Sequence, residues 1–421
     1  MIMETYMGIE YLRNKLAARR PRVLTRYKYY EMKNQKINPS PIIPAKMKHD
    51  YNSVLGWCGK AVDCLADRLS FREFRDDMFD MNEIFRLNNP DVFFDSAILS
   101  ALISSCCFVY ISQDEGGYPR LQVIDGANAT GIINPITNLL KEGYAVIERD
   151  KNNKVVTEAY FVQGRTDYYT QGKEPYSVKN SAPAPLLVPI IYKPDARRPF
   201  GHSRISRACM DAMEKARNTI TRTEVSAEFY SFPQRYVLGT SSEAEKLDKW
   251  QTTISMLLEI TRDENGEKPD AGVFPQQSME PNISQLRMYA SLFAGETGLT
   301  LDDLGFSTDN PSSSDAIAAA HENLRLTARK AQRTFGSGFL NVGYLAACLR
   351  DEHAYNRNQF YESKPAWYPV FEPDFAALST FGDGMQKLTQ AAPGYFGADN
   401  IQDLLGIDPS ADPFPAQTVE E

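Results

Sequence analysis

The stretch NISQLRMYASLFAGETGLTLDDLGFSTDNPSSSDAIAAAHENLRLTARKAQRTFGSGFLNVGYLAACLR, residues 282–350, decides how the rest of the chain is read. Its first part, with Leu286, Tyr289 and Phe293 at helical spacing, predicts a short helix. Gly298 to Ser314, rich in Gly, Thr, Asp and Pro, predicts a loop, and a much longer helical pattern follows. In that second helix Ile317, His321, Leu324, Ala328, Ala331, Phe335, Gly338, Val342, Leu345 and Leu349 recur in steps of four and three, which keeps them on one seam. Asn310-Pro311 and the run Ser312 to Asp315 supply the turn and the N-cap. The helix spans roughly 35 residues, about 50 Å at its usual rise, more than one ordinary core needs. Gly336, Ser337 and Gly338 interrupt the pattern and predict a kink. The small seam residues Ala328, Ala331 and Gly338 admit a closely packed neighbour, from the same chain or another copy. On the other side Arg325, Arg329 and Arg333 form a basic stripe, which reads either as a solvated face or as a contact surface.

Working outward, 421 residues with 43% hydrophobic and 24% charged content describe a folded protein of two to three domains. No stretch has the form of a secretory signal, and the longest apolar run, Ala97 to Ile111, is too short to span a bilayer. Six cysteines lie in apolar or helical surroundings without a CxxC pair and read as buried structural thiols. Four scattered histidines form no HxxxH or HExxH, so a zinc site has no support, and no cofactor is expected. The charge balance, 46 basic against 54 acidic residues for a net −8, argues against a tight DNA binder, whose affinity comes from neutralised phosphates. It is compatible with a channel through which DNA slides.

Along the chain, Tyr11 to Arg20 predicts a short helix. The basic, tyrosine-rich Arg22 to Tyr30 reads either as a nucleic-acid contact or as a helix packed on its aromatic side. Asn52 to Leu69 is helical, and Met81 to Phe94 leads through the apolar run into a strand. From Ser105 the period shifts to two, with Leu121 to Asp125, Gly143 to Arg149, Val155 to Phe161 and Tyr168 to Tyr176 as further strands of an antiparallel sheet. The class is α+β rather than alternating βα units, and neither phosphate-cradling motif, GxGxxG after a strand or GxxxxGK[ST], occurs. A second long helix begins near Ser203 and stops at Pro233. Between the two long helical segments lies a small unit with strands at Arg235 to Leu238 and Ala271 to Phe274 and a helix opened by Ser242 to Glu245. Trp367, Tyr368, Val370 and Phe371 suggest a strand returning to the sheet, and Met385 to Leu404 two short helices split at Pro393-Gly394.

The succession of RVLTRYKYYEM (22–32), FDSAILSALISSCCFVYI (94–111), YPRLQVIDGANATGIINPIT (118–137), VPIIYKPDARRPFGHSRIS (188–206), AEFYSFPQRYVLG (227–239), LTLDDLGFSTDNPSSSDAI (299–317) and QAAPGYFGADNIQDLLGID (390–408) resembles the bacteriophage portal protein family, in its Gram-positive-phage-like branch. The resemblance runs from about Arg22 to Gly406. It departs at Cys106-Cys107, where similar proteins often carry a glycine.

The resemblance implies a homo-oligomeric ring, typically of twelve subunits, at one capsid vertex of a virion assembled in the host cytoplasm. Residues 1–200 and 351–378 would form a wing, 201–232 and 282–297 the stem, 233–281 a clip, 298–314 a tunnel loop, 315–350 a long kinked wing helix, and 379–421 a small crown and tail. Double-stranded DNA would pass through the channel; terminase, a head-tail connector and a major capsid or scaffolding protein would be partners, with no membrane involved. The tunnel loop would present Thr300, Leu301, Asp302, Asp303, Asp309 and Asn310. Arg325, Arg329 and Arg333 would face the channel or a neighbouring subunit, and Arg235, Tyr236, Trp250, Arg262 and Lys268 of the clip would meet terminase or connector. The expectation is no bond chemistry. The alternatives are a packaging nuclease, for which Asp76-Asp77 and Asp302-Asp303 are the carboxylate pairs at hand, and a protein-only head-tail adaptor.

Overall fold

A computed structural model describes residues 6–33, 53–231, 235–238, 270–273, 278–306, 319–371, 375–395, 397, 400 and 401. Eight helices of six residues or more occur among them: α1 (Ile9–Tyr30), α2 (Trp57–Ala66), α3 (Met81–Arg86), α4 (Pro90–Ser104), α5 (Arg207–Ser231), α6 (Glu280–Thr297), α7 (Glu322–Arg350) and α8 (Phe375–Ala391). The strands are β1 (Phe71–Arg75), β2 (Cys106–Gln113), β3 (Pro119–Ile124), β4 (Ala129–Ile133), β5 (Leu140–Arg149), β6 (Val155–Val162), β7 (Arg165–Thr170), β8 (Tyr176–Lys179), β9 (Leu187–Ile191), β10 (Arg235–Leu238), β11 (Asp270–Val273) and β12 (Lys364–Trp367). All the pairings are antiparallel, so the expected α+β class holds.

The strands expected as one sheet divide into two. β3-β2-β9 forms a three-stranded sheet whose centre, Cys106 to Ile111, is buried on both faces, and β4 to β8 forms a five-stranded meander. The period of two marks strands without saying which sheet takes them. Trp367 does belong to a strand, but β12 pairs with β1 and not with the main sheets. The strands expected at 235–238 and near 271 are present and pair with each other. The helix expected from Ser242 lies outside the described residues.

α7 is the axis of the core. From Phe335 to Leu349 nearly every residue is buried, because this half is apolar on all sides and neighbours surround it: β9, β2, β3, α3 and β12. Towards its start only Leu324, Ala328 and Ala331 are buried, and the helix is one-sided. Gly336-Ser337-Gly338 does not interrupt it; the helix is continuous for 29 residues. These glycines serve close approach: a Cβ on Gly336 would stand 2.9 Å from Pro365 and one on Gly338 2.9 Å from Ile190. Gly338, the glycine of the seam, therefore receives a segment of the same chain.

α1 also differs from expectation. It is one helix of 22 residues carrying Pro21 within it, not a short helix with a separate segment. Pro21 forfeits one helical hydrogen bond, on an exposed side where water can replace it. Leu12 and Leu16 pack on Tyr144, Val146, Tyr160 and Val162 of the five-stranded sheet. Buried Glu142 accepts the N–H groups of Met7 (2.7 Å) and Gly8 (3.0 Å) and the Tyr160 hydroxyl (2.8 Å), which ties the start of α1 to β5. Tyr29 and Tyr30 donate to Glu214 (2.6 Å) and Asp63 (2.9 Å), so the tyrosines of this segment are packing groups.

α5 and α6 lie side by side. Arg204, just before α5, donates to the carbonyl of Thr297 at the end of α6, while Thr219 meets Gln285 at 3.3 Å, so the two run antiparallel. Only the first turns of α5, through Cys209, Ala212, Met213 and Ala216, enter the core. Beyond Ile220 the described part of the helix is half-buried or exposed, and the pair stands out as a strut. At the C-terminal end α8 begins ten residues before the expected Met385 and ends before the turn at Pro393-Gly394, where Gly394 has φ 77°.

Candidate functional site

The junction of strut, loop and long helix collects most of the described residues among those singled out in the sequence. α6 ends on Gly298, whose left-handed backbone (φ 70°) lets its N–H reach the Ala294 carbonyl at 2.8 Å. Arg204 covers the neighbouring Thr297 carbonyl, as a cation at a helix C-terminus should. Leu299 is then buried, and Leu301, Leu304 and Phe306 pack against the core, with Phe306 6.4 Å from Trp57. The base of the loop is thus fixed by apolar contacts.

Its two aspartates differ in role. The Asp303 carboxylate accepts the Thr300 N–H (2.8 Å) and hydroxyl (2.9 Å), and the Asp303 N–H donates back to the Thr300 hydroxyl (3.1 Å). His321, a seam residue in the sequence, brings its Nδ1 to 3.9 Å from the same carboxylate and its ring to 6.0 Å from Phe371. Asp303 is a turn-closing group. Asp302 is exposed, in a single 3-10 turn that ends on left-handed Gly305. Asp309 and Asn310 lie outside the described residues, as do Trp250, Arg262 and Lys268. Arg235 and Tyr236 stand in β10.

The basic stripe on α7 also divides. Arg325 grips Glu322 with two nitrogens, at 2.7 and 2.6 Å, and holds that carboxyl below the usual range. Arg329 and Arg333 are exposed and make no ion pair among the described residues. With Leu326, Lys330 and Ser337 they form a ridge between two grooves. One, of about 870 Å³, is bounded by Arg204, the end of α6 and the segment after β9. The other, of about 770 Å³, is bounded by Leu340, Pro365 and Trp367. Sequence reading missed Lys330 and Leu326, although both continue the exposed helical spacing. It also missed the Thr300–Asp303 box, although T-x-x-D is its usual signature. The other acidic pair, Asp76-Asp77, belongs to no metal-type cluster among the described residues: Asp77 accepts the N–H groups of Phe79 (3.3 Å) and Asn82 (2.8 Å) and shapes the start of α3, and Asp76 is exposed.

A family model described as "Phage portal protein, SPP1 Gp6-like" matches residues 9–360, which is most of the chain. The chain belongs to this phage portal protein family. Its α+β architecture is the portal-type fold, and the resemblance read from the sequence is borne out. Solved structures with a similar fold include the neck of a native gene transfer agent particle computed with C12 symmetry, 14% identical with a TM-score of 0.44 over 92% of this chain and 100% of that chain. The neck of an empty particle computed with C6 symmetry is 14% identical with a TM-score of 0.47 over 89% and 96%. No curated protein matches the sequence. As a portal family member the chain is a structural protein of the capsid vertex, and no described helix is long and apolar enough to cross a membrane.

Proposed function

We propose that this portal protein acts as a ring of copies, twelve in the family pattern, standing at one vertex of the virion and assembled in the host cytoplasm. DNA passes along the axis, driven by a terminase ATPase bound at the clip, and the chain performs no bond chemistry of its own. A head-tail connector later occupies the clip end, and a capsid or scaffolding protein surrounds the wing. The observation that carries the ring is the strut. Its α6 buries Ala290, Phe293 and Ala294 inward but leaves Met288 49% and Leu292 60% exposed on the outside. A lone subunit gains nothing from an apolar outer stripe, whereas neighbouring struts can cover it.

Within that ring the segment after α6 is the tunnel loop. Asp302 and, further on, Asp309 would present negative charge to passing phosphates and keep contacts brief, while Asp303 and Thr300 hold the base in shape. Arg329, Lys330 and Arg333 would be neutralised by acids of the adjacent subunit. Electron microscopy of the purified chain tests this: rings with a bore of about 20 Å or more, enough for a duplex, are expected. Monomers under all conditions would overturn it. Deleting residues 300–310 should leave rings intact and impair DNA packaging or retention.

A further inference from the structure

The sequence segment Arg22 to Tyr30 turned its tyrosines inward, and that leaves its arginines to be explained. Arg19, Arg22 and Arg26 follow steps of three and four on one side of α1, and Arg198 and Arg207 stand beside them. Arg19, Arg22, Arg198 and Arg207 are exposed; Arg26 is half-buried, with its Nε enclosed and lacking a hydrogen-bond partner among the described residues. None of the five makes an ion pair among those residues. Burial, then repulsion from Arg198, Arg22 and Arg207, pulls Arg26 below its usual range. Among the described residues no acidic side chain forms an ion pair with this face.

An opposite excess sits elsewhere. Asp67, Asp91 and Asp95 are exposed and make no ion pair among the described residues, and Val92, between Asp91 and Asp95 on α4, is 70% exposed. Burial, then Asp91 and Asp67, raises the Asp95 carboxyl. Asp91, in the first turn of α4, is accounted for by the helix dipole; Asp95 and Asp67 are not. The two excesses occupy opposite ends of α4. The acids are at its start, while Arg204 N–H donating to Leu102 (2.8 Å) and Ser203 Oγ to Ile103 (2.6 Å) place the 198–207 segment at its finish. At 15 residues, α4 separates them by about 20 Å.

We propose that the arginine face of α1 docks on the Asp67–Asp91–Asp95 end of α4 in a second copy of this chain. Two separate patches of opposite sign on one subunit make a head-to-tail contact, the kind that closes a ring, and one contact neutralises both. The inference rests on the ring reading above. DNA on the arginine face would leave the acids unexplained.

The test uses two full-length variants: Arg22→Glu with Arg26→Glu, and Asp91→Lys with Asp95→Lys. Circular dichroism and melting verify that each folds, and sedimentation velocity and electron microscopy read assembly. Each variant alone should lose ring formation by at least about tenfold in association, since like charges meet at every joint. Mixed in equal amounts they should form rings again, alternating around the axis. Folded variants that assemble like the unaltered chain, or a mixture that stays dispersed, overturn the proposal while the ring itself stands. Intact rings that have lost DNA binding assign the face to nucleic acid instead. Absence of rings from the unaltered chain removes the ring reading first, and this contact with it.

Discussion

Asp302 and Asp303 are adjacent and chemically identical, yet the fold gives them different work. Asp303 closes a reciprocal hydrogen-bond pair with Thr300, so removing its carboxylate leaves the Thr300 N–H without its acceptor. Asp303→Ala should destabilise the chain by about 1–2 kcal/mol, the usual cost of a lost cap, and Asp302→Asn should stay within about 0.5 kcal/mol. Urea melts of the two variants check this, and equal effects would show that the base of the loop is not held as described. The buried thiols permit a second prediction. Burial pushes Cys106 and Cys348 from an ordinary 9.0 up to about 11. Between those values the unfolded chain sheds protons that the folded chain keeps, so their contribution to stability is complete below pH 9 and is lost as pH rises towards 11. Native protein at pH 8 should resist alkylation at all six cysteines, each of which is buried, until denaturant is added; mass spectrometry reads the outcome.

Among the elements, α7 shows what periodicity can and cannot convey. Its seam was legible because apolar residues at helical spacing need one buried side, and Leu324 through Leu349 supply that. The role of its glycines was not, because a glycine reads alike as a break or as a place where something approaches, and only Pro365 and Ile190, distant in sequence, decide between them. Substitution separates the two. Gly336→Ala adds a better helix former, worth about 1 kcal/mol, but drives a methyl into the Pro365 ring at 2.9 Å; overpacking of about 1–3 kcal/mol should win, giving a lower urea midpoint. Gly295→Ala on α6, where nothing lies within 4 Å, should stabilise by about 0.4–1 kcal/mol. The same non-locality hid β1. Phe-Arg-Glu-Phe-Arg carries too much charge to announce a strand, and its partner β12 lies nearly 300 residues on. Of the candidate site, the loop and the stripe were legible as composition. That Asp303 and Arg325 are consumed by Thr300 and Glu322, leaving Asp302, Arg329 and Arg333 outward, depends on side-chain pairing that spacing only permits.

For the whole molecule, the question is why a subunit should hold a strut away from its own core. α5 is anchored by its first turns only, and α6 returns along it, meeting the body at Thr297 and Leu299. A protruding helix pair buries one shared seam and must hydrate the rest, so each exposed apolar side chain on it forgoes roughly 1.5–3 kcal/mol of burial that a neighbour could supply. Met288 and Leu292, four residues apart on α6, share that outer side. If they face the next subunit, charging them should leave the solitary fold untouched, because they are already exposed, and weaken only the joints. Met288→Glu combined with Leu292→Asp is therefore expected to melt at the temperature of the unaltered chain while its association falls at least about tenfold. Sedimentation velocity and thermal melting of the same samples separate these effects. Unchanged rings would place the stripe against the channel or the outer solvent, and a lowered melting temperature would place it inside the subunit. Because the substitutions lie on α6 and the charged contact proposed above lies on α1 and α4, adding the α6 pair to the mixed charge variants should lower assembly further by its own factor, as independent joints in one ring require.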